Sequence, residues 1–360
     1  MGSAPVGETQ RGNQGTGHRS LRSLSRSYVL AAALMALLAV AGSLTPPLAE
    51  SAPVPNLFVA SNSNNSVVEY DGATGALVTV FVPGGFPSGG GGLVGPIGLA
   101  FGRTGNLLVT NGGNSSVLEY NGHTGAFLGA FVPSGSGGLF EPGGIVFGPN
   151  GNLFVASQGT QSVLEYNGHT GAFITTFVPS GSGGLADALG LVFGPDGNLY
   201  VTSEGTNTIL EYNGTTGAFI RTFVSSGSGG LIAPSDLVFG PNGNLFVTSQ
   251  STSSVLEYNG STGAFLTTFV SGTSGGFGLV FGPNGNLFVT NFSGSFVTEY
   301  NGSTGASIKI FVSGGSGGLA DPTFLTFTPV PEPASGLLLV SGLVGIAILR
   351  KALRGGRAVR

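Results

Sequence analysis

Four carboxylates carry the residue types and the placement that could do chemistry: Glu141, Asp187, Asp236 and Asp321. Three of them share one column of an internally repeated sequence. Six residues before a recurrent phenylalanine the copies read Gly95, Glu141, Asp187, Ala233, Gly275 and Asp321, and Asp236 lies close by in the copy that has Ala233. A column that varies between copies is where an asymmetric site can form, and oxygen ligands from several loops are the donor set Ca²⁺ takes. Solvated loop carboxylates or turn formers are the alternative; no other cofactor is expected. A second acidic column, Glu69, Glu119, Glu165, Glu211, Glu257 and Glu299, is present in every copy. A residue demanded equally by all copies reads as structural, a cross-strand partner.

Other chemistries have little material. His123 and His169 share one turn position with Ala73, Thr215, Ser261 and Ser303, so that position accepts almost any small or polar residue. There is no Cys. Zinc sites and Ser-His or Cys-His nucleophiles are therefore not expected, and no catalytic residue is assigned.

The elements that must position these residues follow from the repeat. The phrase SVLEYNGHTGAF, at Ser162 to Phe173, recurs six times, marked by Tyr70, Tyr120, Tyr166, Tyr212, Tyr258 and Tyr300 at spacings of 50, 46, 46, 46 and 42 residues. Such a period signals a solenoid, propeller or array. Each copy holds four short β-prone runs, exemplified by Asp236–Gly240, Asn244–Thr248, Ser254–Tyr258 and Ala264–Val270. Their length and their β-branched and aromatic content indicate strands. Gly240-Pro-Asn-Gly243 and Asn259-Gly260 supply the tight turns between them. Four antiparallel strands in 42 to 50 residues are the size of a propeller blade.

Counting strands predicts how the ring closes. Six second strands begin at Asn56, Asn106, Asn152, Asn198, Asn244 and Asn286, but no first strand precedes Asn56. The missing one stands at the other end, as Thr323–Phe327. The expected fold is an all-β, six-bladed β-propeller of four-stranded antiparallel blades, closed by the C-terminal strand completing the first blade.

Composition agrees: 41% hydrophobic residues, with 67 glycines as punctuation, can supply a core. Between Ser51 and Pro329 there are 13 acidic residues and 3 basic ones (Arg103, Arg221, Lys309), a balance of −10 that argues against a nucleic-acid partner. The other nine basic residues lie towards the two ends. Arg19, Arg22 and Arg26 precede the apolar run VLAAALMALLAVAG and Ala39-Val-Ala41, so residues 1–50 read as a basic leader and secretory signal peptide. Residues 51–329 form the propeller. In 330–360 the tripeptide Pro331, Glu332 and Pro333 is followed by an uncharged, largely apolar run from Ala334 to Leu349, and then by Arg350, Lys351, Arg354, Arg357 and Arg360. That order resembles the PEP-CTERM sorting signal of Gram-negative bacteria. The resemblance implies recognition by exosortase, a membrane protease-like transpeptidase, with a short transmembrane helix at least transiently in the inner membrane and the basic end held in the cytoplasm. The processed protein would then reach the cell surface or extracellular matrix.

The blade pattern GLVFGPNGNLFVT followed by SVLEYNGxTGAF resembles NHL-type propellers and the wider gluconolactonase, regucalcin and streptogramin-lyase group across residues 56 to 329. That group includes enzymes with one divalent ion in the channel, held just before an inner strand and at the end of a second strand. The matching columns here read Ile97, Gly143, Leu189, Ser235, Phe277 and Thr323, and Ser61, Asn111, Ser157, Ser203, Ser249 and Asn291. Neither contains a carboxylate. The expected function is therefore a non-enzymatic binding or structural role in the cell envelope or extracellular polysaccharide, with a metal-dependent lactonase or lyase as the alternative.

Overall fold

The computed structural model describes residues 54–84 and 90–329. The leader, the PEP tripeptide, the apolar run after it and the basic tail lie outside the described residues. Among the described residues there is no α-helix, only strands and short 3-10 turns. No helix among them is long and apolar enough to cross a membrane.

Six antiparallel sheets of four strands make the blades. Blade 2, with Pro96–Phe101, Leu107–Asn111, Ser116–Tyr120 and Phe127–Val132 from inside to outside, is typical. Blades 3, 4, 5 and 6 open with inner strands Pro142–Phe147, Ala188–Phe193, Pro234–Phe239 and Gly276–Phe281. In blade 1 the inner strand is Pro322–Phe327, paired antiparallel with Leu57–Ser61 through Leu57 opposite Phe327 and Val59 opposite Leu325. Each inner strand touches the next around the full circle, so the ring is closed as the strand count requires. Inner strands begin a residue or two earlier than their apolar runs suggest, most often on a proline, which a first strand residue tolerates.

The cores lie between blades. Second strands such as Leu153–Ser157 are buried at every position because neighbouring blades cover both faces, whereas outer strands such as Phe173–Val178 expose their first four residues. One aromatic contact repeats. Phe154 of blade 3 meets Phe177 of its own blade at 4.8 Å and Phe193 of blade 4 at 5.0 Å, both edge to face. Phe58, Tyr200, Phe246 and Phe288 do the same. The last reaches Phe327 at 5.2 Å and so extends the pattern across the closing seam. Each such pair adds roughly 0.5–1.5 kcal/mol beyond its buried area.

The repeated phrase is explained by two bonds. The buried tyrosine hydroxyl donates to a carbonyl in the Gly-Ser connector that arrives from the preceding blade: Tyr70 to Ser316, Tyr120 to Gly90, Tyr166 to Ser136, Tyr212 to Ser182 and Tyr258 to Ser228, all within 2.7–2.8 Å. The glutamate before it accepts from the asparagine that begins the second strand, as Glu257 does from Asn244 at 2.7 Å. In blades 4 and 6 Glu211 and Glu299 also meet the outer-strand cations Arg221 (2.6 Å) and Lys309 (3.6 Å). The glutamate column joins strands in every blade.

Candidate functional site

The mouth of the propeller is built where each connector turns into an inner strand. The column Gly95, Glu141, Asp187, Ala233, Gly275 and Asp321 has left-handed backbone in all six blades, with φ of 59°, 49°, 51°, 52°, 64° and 47°. This conformation reverses the chain into the strand, and Gly and Asp are the residues that adopt it most readily. The carbonyl of each column residue accepts the N–H of the first residue after the second strand. The pairs are Gly112 to Gly95, Gln158 to Glu141, Glu204 to Asp187, Gln250 to Ala233, Phe292 to Gly275 and Asn62 to Asp321, at 3.1–3.3 Å. Two residue positions are thereby set beside each other at the top of every blade, both of them glycine in blade 2.

Those paired positions make an asymmetric rim. Blade 1 presents Asn62 and Asp321, with the Ser63 hydroxyl donating to the Asp321 carboxylate. Blade 3 presents Gln158 and Glu141. Blade 4 presents two acids, Glu204 and Asp187; partial burial, and then the charge of Asp187, raises the Glu204 carboxyl above its usual range. In blade 6 Phe292 stacks on Phe277 with centroids 5.6 Å apart and planes at 28°. Phe277 in turn meets Phe324 at 5.8 Å. Phe324 reaches so far across that a Cβ on Gly144, two blades away, would stand 2.9 Å from its ring. The aromatic row therefore runs from the rim inward until the Phe324 ring reaches the inner strand of blade 3.

Asp236 is not part of this rim. It lies within the inner strand of blade 5, at the level where other blades have Gly98, Gly144, Gly190 and Gly278, and it is buried. Its carboxylate accepts the backbone N–H of Leu237 (2.9 Å) and of Leu279 in blade 6 (3.1 Å). Burial pushes it up to about 7, the two backbone donors pulling weakly the other way. Glu141, Asp187 and Asp321 belong to three separate blades. Among the described residues no group of three or more His, Asp or Glu is placed to hold a metal ion.

The two columns marked by the family resemblance are engaged in other work. At the end of each second strand, the side chain accepts the N–H of the connector residue just before the left-handed one. Ser61 takes Ala320, Asn111 takes Val94, Ser157 takes Phe140, Ser203 takes Ala186, Ser249 takes Ile232 and Asn291 takes Ser274, at 2.9–3.0 Å. On the inner strands, Ser235 donates to the Phe277 carbonyl at 2.8 Å and Thr323 to that of Pro96 at 3.0 Å, stitching blade to blade. Thr110, Thr248 and Thr290 add bonds of 2.7–2.9 Å to the carbonyls of the following blades. Sequence reasoning missed Phe292, Glu204, Gln158 and Gln250. The signal was available: their column, Asn62, Gly112, Gln158, Glu204, Gln250 and Phe292, carries five residue types in six copies.

No protein-family model matches this chain, and no curated protein matches it. Solved structures match it in shape. They include a chain of a nidogen/laminin complex (TM-score 0.62, 16% identity, 76% of this chain and 98% of that one). A protein of unknown function from Bacteroides caccae is similar (TM-score 0.56, 16% identity, 76% and 99%). So is a streptogramin B lyase (TM-score 0.54, 14% identity, 78% and 92%). At these identities the likeness is one of fold: a β-propeller.

Proposed function

We propose that this propeller is exported, sorted by exosortase through Pro331-Glu-Pro333, and acts without catalysis as a binding or structural protein of the cell envelope or extracellular polysaccharide matrix. One observation carries the non-enzymatic reading. At the two positions that would supply ligands in a lyase-like channel there is no carboxylate, and the polar side chains present hold connectors (Ser157, Ser203, Ser249) or join blades (Ser235, Thr323). What the mouth offers is a stacked aromatic pair flanked by amides and carboxylates, a surface suited to a sugar ring and its hydroxyls. Export and sorting rest on the order of basic leader, apolar run, PEP tripeptide, second apolar run and arginines in the sequence.

The experiment is co-sedimentation of the secreted protein with the matrix polysaccharide of an exosortase-bearing host, with lactone and streptogramin turnover measured alongside. Binding that Phe292→Ala weakens by about tenfold, the scale of one lost stacking contact, is the expected result. Metal-dependent turnover lost on changing Asp187 or Glu204 would overturn the reading in favour of the lyase.

A further inference from the structure

A second concave site lies at the opposite end of the blades, among the hairpin turns of blades 3 and 4. It is a polar cavity of about 360 Å³ whose lining includes Pro149, Asn150, Asp196, Gly197, Asn213 and Thr215. The repeat supplies an internal comparison. One blade earlier, where Pro149 is replaced by Arg103, that arginine lies over the glycine equivalent to Gly197: its Cζ is 2.9 Å from where a Cβ on Gly151 would stand. Over Gly197 nothing comes within 4 Å. Gly105, Gly243 and Gly285 are equally bare, but beside them stand Thr104, Asn242 and Asn284, and only the groove at blade 4 has a carboxylate, Asp196. Relative to its neighbour, this groove has lost a cation and gained an anion.

Asp196 is held in place for this use. Its oxygens accept the N–H and the amide of Asn198 (3.0 and 2.9 Å) and the hydroxyl of Tyr200 (3.0 Å), which leaves room for a further donor on a group able to accept about four. Tyr200 stands where blades 1, 3, 5 and 6 have phenylalanine, so the carboxylate and its hydroxyl donor occur together in one blade. Among the described residues the ion pairs are Arg221–Glu211 and Lys309–Glu299, so no cation of the propeller answers Asp196. We propose that this pocket is a subsite for a guanidinium group, the side chain of an arginine presented by a partner polypeptide. A planar guanidinium lies flat over a glycine, as Arg103 does, while its edge meets a carboxylate; a compact ammonium does not.

The test titrates the full chain with N-acetyl-arginine amide and with N-acetyl-lysine amide while following backbone amide resonances. The arginine probe should shift Gly197, Asn198 and Thr215 saturably at millimolar concentration, the lysine probe several-fold more weakly. Asp196→Asn, which installs the residue of blades 3, 5 and 6, should weaken the arginine response at least about fivefold, the scale of one surface ion pair. Pro149→Arg, copying blade 2, should abolish it by filling the groove from within. No saturable shift in the parent chain, equal response to lysine, or full binding by Asp196→Asn would each overturn the proposal.

Discussion

Asp236 is the residue whose chemistry the fold alters most. It stands where four blades have glycine, among inner strands contributing Gly190 and the Leu279 N–H, with Thr248 of its own blade's second strand accepting its backbone N–H, and no charged side chain perturbs it. Its folded value of about 7 lies above the ordinary 3.8. The folded state therefore holds a proton that the unfolded state gives up between those values, and stability falls as pH rises through that window, then levels off above about 7. The full effect is on the order of 4 kcal/mol. Thermal melts at pH 5 and pH 8 should show a large loss for the parent and a much smaller one for Asp236→Gly; equal losses would mean that the carboxylate is solvated.

At the same scale, the left-handed column accounts for what the sequence did and did not reveal. Glu141, Asp187 and Asp321 were visible as variable carboxylates before an inner strand, but composition alone does not distinguish a ligand from a residue chosen for its φ. The two glycines and two aspartates among the six were the clue to backbone. Glu141→Gly should leave stability unchanged or raise it by up to about 1 kcal/mol in a denaturant melt, since glycine adopts φ of 49° without strain. A loss of several kcal/mol would show that the side chain itself is needed.

Among elements, the connectors and the closing strand matter most. A Gly-Ser segment has little to bury, so its position depends on the tyrosine hydroxyl beneath it. Tyr258→Phe should cost about 1 kcal/mol, the worth of one hydrogen bond, and should speed amide exchange across Ser228–Gly230. The strand count located closure correctly because the missing first strand leaves a gap that only Pro322–Phe327 can fill. Ending the chain at Ala320 should abolish cooperative melting, because Leu57–Ser61 would lose its ladder and Phe288 its partner Phe327. An unchanged melt would contradict a closed ring. The tyrosine and glutamate bonds were less legible, since they join residues 13 to 246 positions apart and sequence period alone gives no partner.

At the scale of the whole molecule, near-identical blades make a ring whose individuality lies at its two ends. The mouth varies through the paired rim positions of each blade, and the opposite end through Asp196 and Arg103. The proposed delivery through the tail is tested separately. In an exosortase-bearing host, Pro331-Glu-Pro333 replaced by alanines should retain the C-terminal segment and accumulate in the inner membrane, whereas the parent should lose it; a mature parent still ending at Arg360 by mass spectrometry would contradict sorting.

Ligand binding at the mouth is tested most simply by hydrogen–deuterium exchange of the protein with and without the matrix polysaccharide of an exosortase-bearing host. Slowed exchange is expected at the segments beginning with Gln158, Glu204, Gln250 and Phe292, with the outer strands unaffected. Protection confined to the outer strands, or none at saturating polysaccharide, would contradict it.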